Sequence, residues 1–180
     1  MRTVEEGLPR TGITFDVREF ETDSTVFDEG GVRVMAFAVD HGGELRPAYG
    51  FRVSYGGRSV VLSGDTRVSD SLLRHAAGAD VIVHEAIAVP VSTRMQPSVA
   101  FRLSHHTSAS EVGRVFAQTK PRLGVLSHLA LVPDQNGQPP TPETVAAEVS
   151  QIFDGRIEVG EDLMRITVGD TITVRRSRPQ

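Results

Sequence analysis

Apolar and polar positions follow one rhythm up to about Asp65 and another beyond it. In the first part, ITFDVREF (13–20) alternates with a period of two and VRVMAFAVDH (32–41) is a longer apolar run. YGFRVSYGGRSVVLSGD (49–65) then reads as two strands joined at Gly56-Gly57. Alternation bounded by glycine turns predicts strands, here an antiparallel meander. Beyond Asp65, helical and buried-strand patterns take turns. VSDSLLRHAAGA (68–79) predicts a short helix ended by Gly78, and DVIVHEA (80–86) a buried strand. SASEVGRVFAQTK (108–120) opens with a Ser and Glu capping box, and PRLGVLSH (121–128) is a second buried strand. TPETVAAEVSQIF (141–153) places Thr141 at an N-cap and Pro142 at the first helical position. RIEVGEDLMRITVGDTITVRR (156–176) returns to short strands split at Gly160 and Gly169. The expected architecture is α/β, a mixed β-sheet with flanking helices, in a single domain over residues 1–180.

Composition narrows the chemistry. The 180 residues are 39% hydrophobic and 23% charged, the profile of a soluble globular chain. No apolar run approaches the roughly 20 residues of a spanning helix, and MRTVEEGLPR lacks the apolar stretch of a signal peptide. No membrane association and a cytoplasmic location are expected. With no cysteine, thiolate ligands and thiol nucleophiles are excluded, so any metal must be held by histidines and carboxylates. The net charge of −4 gives no general pull toward nucleic acid. The basic cluster RRSRP (175–179) reads as a solvated tail.

The chemistry concentrates at strand ends. SVVLSGD, DVIVHE and LGVLSH finish in Asp65, in His84 and Glu85, and in His128. In open α/β sheets, ligands bind beyond the carboxyl ends of the strands. Each residue alone has an ordinary explanation: a turn cap, a surface residue, a satisfied core histidine. Three at equivalent ends would be gathered along one edge. SHHTSAS adds His106 just before a helix, with His105 as a cap or solvated neighbour. His41, ending VMAFAVDH, is a candidate substrate contact. His75, inside LLRHAAG, is assigned to surface or packing. YGGRSVV lacks the Gly-Lys-Ser/Thr of a phosphate loop, and no Gly-x-Ser-x-Gly elbow occurs.

The ordered set SGDT (63–66), ADVIVHEA (79–86), HHTS (105–108) and LSHL (126–129) resembles the C-terminal half of the metallo-β-lactamase superfamily, in particular its ribonuclease Z and arylsulfatase-like branch. DHGGELRPAYGFRV (40–53) resembles the family's His and Gly-Tyr segment, here with Tyr-Gly-Phe. The resemblance implies the second half of an αββα fold and a site with two zinc ions. It implies Asp65 as the carboxylate bridging them and His128 as a ligand of the second. It further implies His106 as the group acting on the transition state or leaving oxygen, Glu85 as the acid orienting it, and His84 just outside the ligands. The implied activity is hydrolysis of a phosphodiester, RNA included, with a sulfate ester as the alternative. Paired metals of this kind stabilise both attacking and leaving oxygens.

One departure is large. The family's H-x-H-x-D-H motif, which supplies most zinc ligands, has no counterpart, since no histidine precedes His41. Asp65 and His128 fall short of the three protein ligands usual for one catalytic zinc. The chain is therefore expected to lack the N-terminal metal-binding half, through a truncated reading frame, a deliberate fragment or a subunit completed by a second chain; truncation is the leading expectation. Weak zinc binding, little or no turnover, and an exposed inner sheet face favouring a homo-oligomer follow. A non-enzymatic half-domain that binds a partner chain is the alternative.

Overall fold

The computed structural model describes residues 6–7, 17–21 and 23–176. Four strands open the fold: β1 (Ser24–Glu29), β2 (Val32–Ala38), β3 (Tyr49–Tyr55) and β4 (Arg58–Leu62). They pair in antiparallel succession, as the alternating pattern predicts. Gly56 and Gly57 sit at φ 54° and 75°, the left-handed pair that a two-residue hairpin turn needs if it is to match the strand twist. Of the strand expected over residues 13–20, the first four lie outside the described residues, and 17–20 carry no regular structure. The first strand instead runs from Ser24, where the cross-strand partner β2 supplies the pairing that a mostly exposed segment could not signal by itself.

The chain then alternates. Helix α1 (Asp70–Ala76) leads to β5 (Val81–Ala88), and α2 (Pro97–Leu103) and α3 (Ala109–Thr119) lead to β6 (Leu123–Leu131). Helix α4 (Pro142–Ser150), β7 (Ile157–Val159) and the pair β8 (Arg165–Val168) and β9 (Ile172–Arg175) complete it. Local signals start the helices where expected. Ser69 accepts from the Leu72 amide at 3.2 Å and Thr141 from the Thr144 amide at 3.2 Å. Ser108 and Glu111 form the capping box; such caps contribute about 1 kcal/mol each.

Strands β1 to β7 form one sheet in sequence order. β4, β5, β6 and β7 are mutually parallel, so the sheet is mixed. On one face the helices supply Leu72, Ala76, Val112, Val115, Phe116, Val145 and Val149, which close over Phe37, Val61, Ile82 and Leu126. Fully burying such side chains is worth about 1.5–3 kcal/mol apiece, and this layer holds the sheet rigid. On the opposite face the β8–β9 hairpin lays Ile166, Val168, Ile172 and Val174 against Val81, Leu123 and Val125. Among the described residues Phe27 and Leu62 keep 45% and 40% of their surface exposed.

Candidate metal centre and its clasp

The parallel strands end together, and the loops after them carry the polar groups. After β4 the chain turns through Ser63-Gly64-Asp65-Thr66. Glu85 on β5 fixes this loop to the one before α3. Its Oε1 accepts from the Thr66 amide at 3.2 Å and from the Thr107 amide at 3.0 Å. The Glu85 amide donates to the Ser63 hydroxyl at 3.1 Å, and the Thr107 hydroxyl donates to the Thr66 carbonyl at 2.6 Å. One buried carboxylate thus clasps the loops that present Asp65 and His106. Its other oxygen, Oε2, and His106 Nδ1 are both buried without a hydrogen-bond partner and face each other at 3.3 Å. Burial pushes the Glu85 carboxyl up to about 8, and burial together with the neighbouring His41 lowers His106. Both shifts favour the uncharged carboxyl and the uncharged imidazole.

His128 reaches the site through a backbone irregularity. The β5–β6 register slips between Glu85 and Ala86, which pair with Ser127 and Leu129, so His128 is the extra residue of a bulge. It adopts φ 44°, a left-handed conformation that costs a non-glycine residue on the order of 1 kcal/mol or more. Bulges re-aim side chains, and this one brings His128 Nε2 to 3.3 Å from Asp65 Oδ2.

His41 arrives from the antiparallel side. Its loop is tied down by the Asp40–Arg67 ion pair, by the Gly42 amide donating to Asp40 Oδ1 at 2.9 Å, and by a bridge between Asp40 and Arg67. His41 Nδ1 lies 3.0 Å from the His105 carbonyl oxygen. A carbonyl only accepts, so Nδ1 carries the proton and Nε2 presents a bare lone pair. That nitrogen stands 4.0 Å from Asp65 Oδ2. Ligand atoms of His41, Asp65 and His106 all fall within 4.8 Å of one another. A carboxylate and imidazoles with free lone pairs are the donors zinc takes, so Asp65 with His41 on one side and His128 on the other suits that metal.

The residues singled out from sequence thus separate. Asp65, His106, His128 and Glu85 come together, and His41 joins the ligand group itself, where a substrate contact was expected. His84 faces the other way: it is fully buried in the helix-covered core, 6.2 Å edge-on to Phe116. Its Nδ1 donates to the Glu85 carbonyl at 2.6 Å, so it bears on the site only through that backbone, because adjacent residues on a strand point to opposite faces. His105 is 8% exposed rather than solvated, and it bonds the Phe101 carbonyl in the last turn of α2 instead of capping α3; its own carbonyl sets the His41 tautomer. His75 stacks on Phe37 at 4.5 Å, a packing role. Ser63, Thr66 and Thr107, the clasp's partners, lay inside the SGDT and HHTS motifs but give no chemical signal as isolated hydroxyl residues.

Comparison with known proteins bears on the family and the fold. The sequence profile described as beta-lactamase superfamily domain matches residues 2–129. A ribonuclease Z of Mycolicibacterium paratuberculosis is 37% identical over 156 residues, covering 85% of this chain and 53% of that protein. One of Mycobacterium marinum is 35% identical over the same extent. The chain spans about half the length of the curated relatives it matches. Among solved structures, the metallo-beta-lactamase fold protein YhfI from Bacillus subtilis superposes with a TM-score of 0.62 at 18% identity, over 84% of this chain and 57% of that one. The short form of human tRNase Z gives 0.51 at 22% identity, over 78% and 44%. No helix among the described residues is long and apolar enough to cross a membrane. By the profile match over most of its length, with a mixed sheet and a His and Asp cluster at the strand ends, the chain belongs to the beta-lactamase superfamily domain family.

Proposed function

We propose that this chain carries one half of a zinc-dependent phosphodiesterase site of the ribonuclease Z type. The observation that carries the reading is the convergence of His41, Asp65, His106 and His128 on one point beyond the parallel strands. Asp65, His41 and His128 would hold the metal. Bound there, zinc would supply a hydroxide at neutral pH and charge stabilisation for the phosphoryl oxygens. His106 is the proton donor: with Nδ1 held by Glu85, its Nε2 can protonate the leaving oxygen as the P–O bond breaks. Glu85 orients that ring and returns charge balance to it.

Three ligands fall short of a two-metal site. The remainder is proposed to come from residues outside this chain, in a longer polypeptide or a partner, and the half-length match to ribonuclease Z relatives supports this. The test pairs zinc stoichiometry with turnover of a precursor tRNA, a bis-aryl phosphate and an aryl sulfate. The 180-residue chain should bind zinc weakly and turn over little. Two tightly held zinc ions with robust turnover would overturn the half-site reading. In the completed protein, Asp65→Ala should abolish phosphodiester cleavage; cleavage of the aryl sulfate alone would overturn the phosphodiester assignment.

A further inference from the structure

Phe101 stands apart from the rest of α2. Val99 and Leu103 turn inward with Ile87, Val89 and Val132, whereas Phe101 leaves 65% of its surface open. A lone exposed apolar side chain is ordinary, but the position of this one is specific. Its ring lies 4.3 Å, centroid to centroid, from that of His105 at an angle of 41°. The His105 ring in turn stands edge-on to His41 at 5.8 Å.

His105 is an immobile spacer. Its Nδ1 is 2.6 Å from the Phe101 carbonyl oxygen and 3.0 Å from the Ser104 hydroxyl. On its other side lies Gly42, at φ 79°, where a Cβ would come within 2.9 Å of the ring. Glycine at that position lets the His41 loop close against His105. The outcome is an exposed aromatic surface fixed one ring away from the ligand group, with the exposed Arg102 beside it in sequence.

Resting on the phosphodiesterase reading above, we infer that Phe101 is a stacking platform for the base next to the scissile phosphate of a single-stranded RNA segment, with Arg102 against the backbone. Aromatic faces accept any base, and arginine adds charge against phosphate; removing such a platform weakens binding on the order of tenfold per base. Sequence-tolerant recognition of unpaired nucleotides is the mode this geometry serves. Met95 and Val91 of the same segment are also exposed, so a protein partner is the competing occupant, and the self-association outcome below tests it.

The experiment uses the 180-residue chain and short single-stranded oligoribonucleotides carrying 2-aminopurine, whose fluorescence falls on stacking. An abasic oligomer of equal length serves as the backbone-only probe. Phe101→Ala should weaken binding of the base-containing oligomer on the order of tenfold and abolish the quenching. It should leave abasic binding unchanged, and Phe101→Trp should restore both. Circular dichroism establishes that each variant is folded. Absence of RNA binding by the parent chain would overturn this inference, whereas the phosphodiester reading stands or falls separately on turnover of the bis-aryl phosphate and precursor tRNA by the completed protein. Parent-like binding and quenching in Phe101→Ala would overturn this inference alone. So would full activity of Phe101→Leu in quenching, or loss of self-association in Phe101→Ala with RNA binding intact.

Discussion

His84 makes the stability of the domain depend on acid in a way that can be isolated. The imidazole is fully buried, its Nδ1 proton is committed to the Glu85 carbonyl, and Nε2 has no partner. Protonation would place a charge in an apolar core with nothing to accept its second N–H, and burial lowers the His84 pKa from 6.5 to about 4. Because the folded pKa is depressed, the folded state binds fewer protons than the unfolded one. The contribution is therefore intact above pH 6.5 and is lost as pH falls toward 4. At 1.36 kcal/mol per unit the whole excursion is about 3 kcal/mol, and most of it is spent by pH 4.5. Glu85 runs the other way across part of this range, so a single curve would mix the two. The comparison is His84→Asn, whose side-chain amide can still donate to the Glu85 carbonyl but does not titrate. Urea denaturation followed by circular dichroism, with chelator present, gives the unfolding free energy of both proteins from pH 7.5 to 4.5. The parent should lose about 2–3 kcal/mol more than His84→Asn over that interval. A constant gap between the two curves would refute the buried, neutral imidazole.

Glu85 carries a second pair of expectations. Its raised pKa, about 8 against 4.5, means the folded state keeps a proton the unfolded state releases, so stability falls as pH rises through that window; Glu85→Gln should flatten the decline in the same denaturation series. Glu85→Ala strips the acceptor from the Thr66 and Thr107 amides and should cost about 2–4 kcal/mol, read at pH 5 where the carboxyl is protonated. His128→Gly relieves the φ 44° conformation; the variant should be at least as stable as the parent, while zinc binding measured by competition with a chromophoric chelator falls at least tenfold.

The parts of this structure legible in the sequence are those written in short-range pattern. The apolar run at 32–41 located β2, the glycine pair Gly56-Gly57 located β3 and β4, and the caps at Ser108 and Thr141 located α3 and α4, because a hydroxyl must stand where the first orphan amides are. Helix α2 gives no such signal: only Val99 and Leu103 turn inward, one i, i+4 pair in a segment with Pro97 at its start. Asp65 and His128 could be placed at strand ends, but which histidines join them depends on long-range facts. The His41 tautomer is set by a carbonyl 64 residues away, and the aim of His128 by a register slip against β5. No local periodicity encodes either. The same limit separates His84 from Glu85, adjacent in the HEA motif yet on opposite faces of β5.

These long-range devices bear on how an incomplete site could be finished. His41 is oriented by a peptide carbonyl, His106 by Glu85, and His128 by its own backbone; none of the three depends on groups beyond this chain. The loops presenting Asp65 and His106 are closed by hydrogen bonds that a metal need not supply. Each immobilised side chain spares roughly 0.5–1.5 kcal/mol of ordering when a complementary element arrives. On the half-site proposal, assembly would start with these side chains already in place, so the binding energy of any further ligands would go into holding metal rather than into ordering His41, His106 and His128.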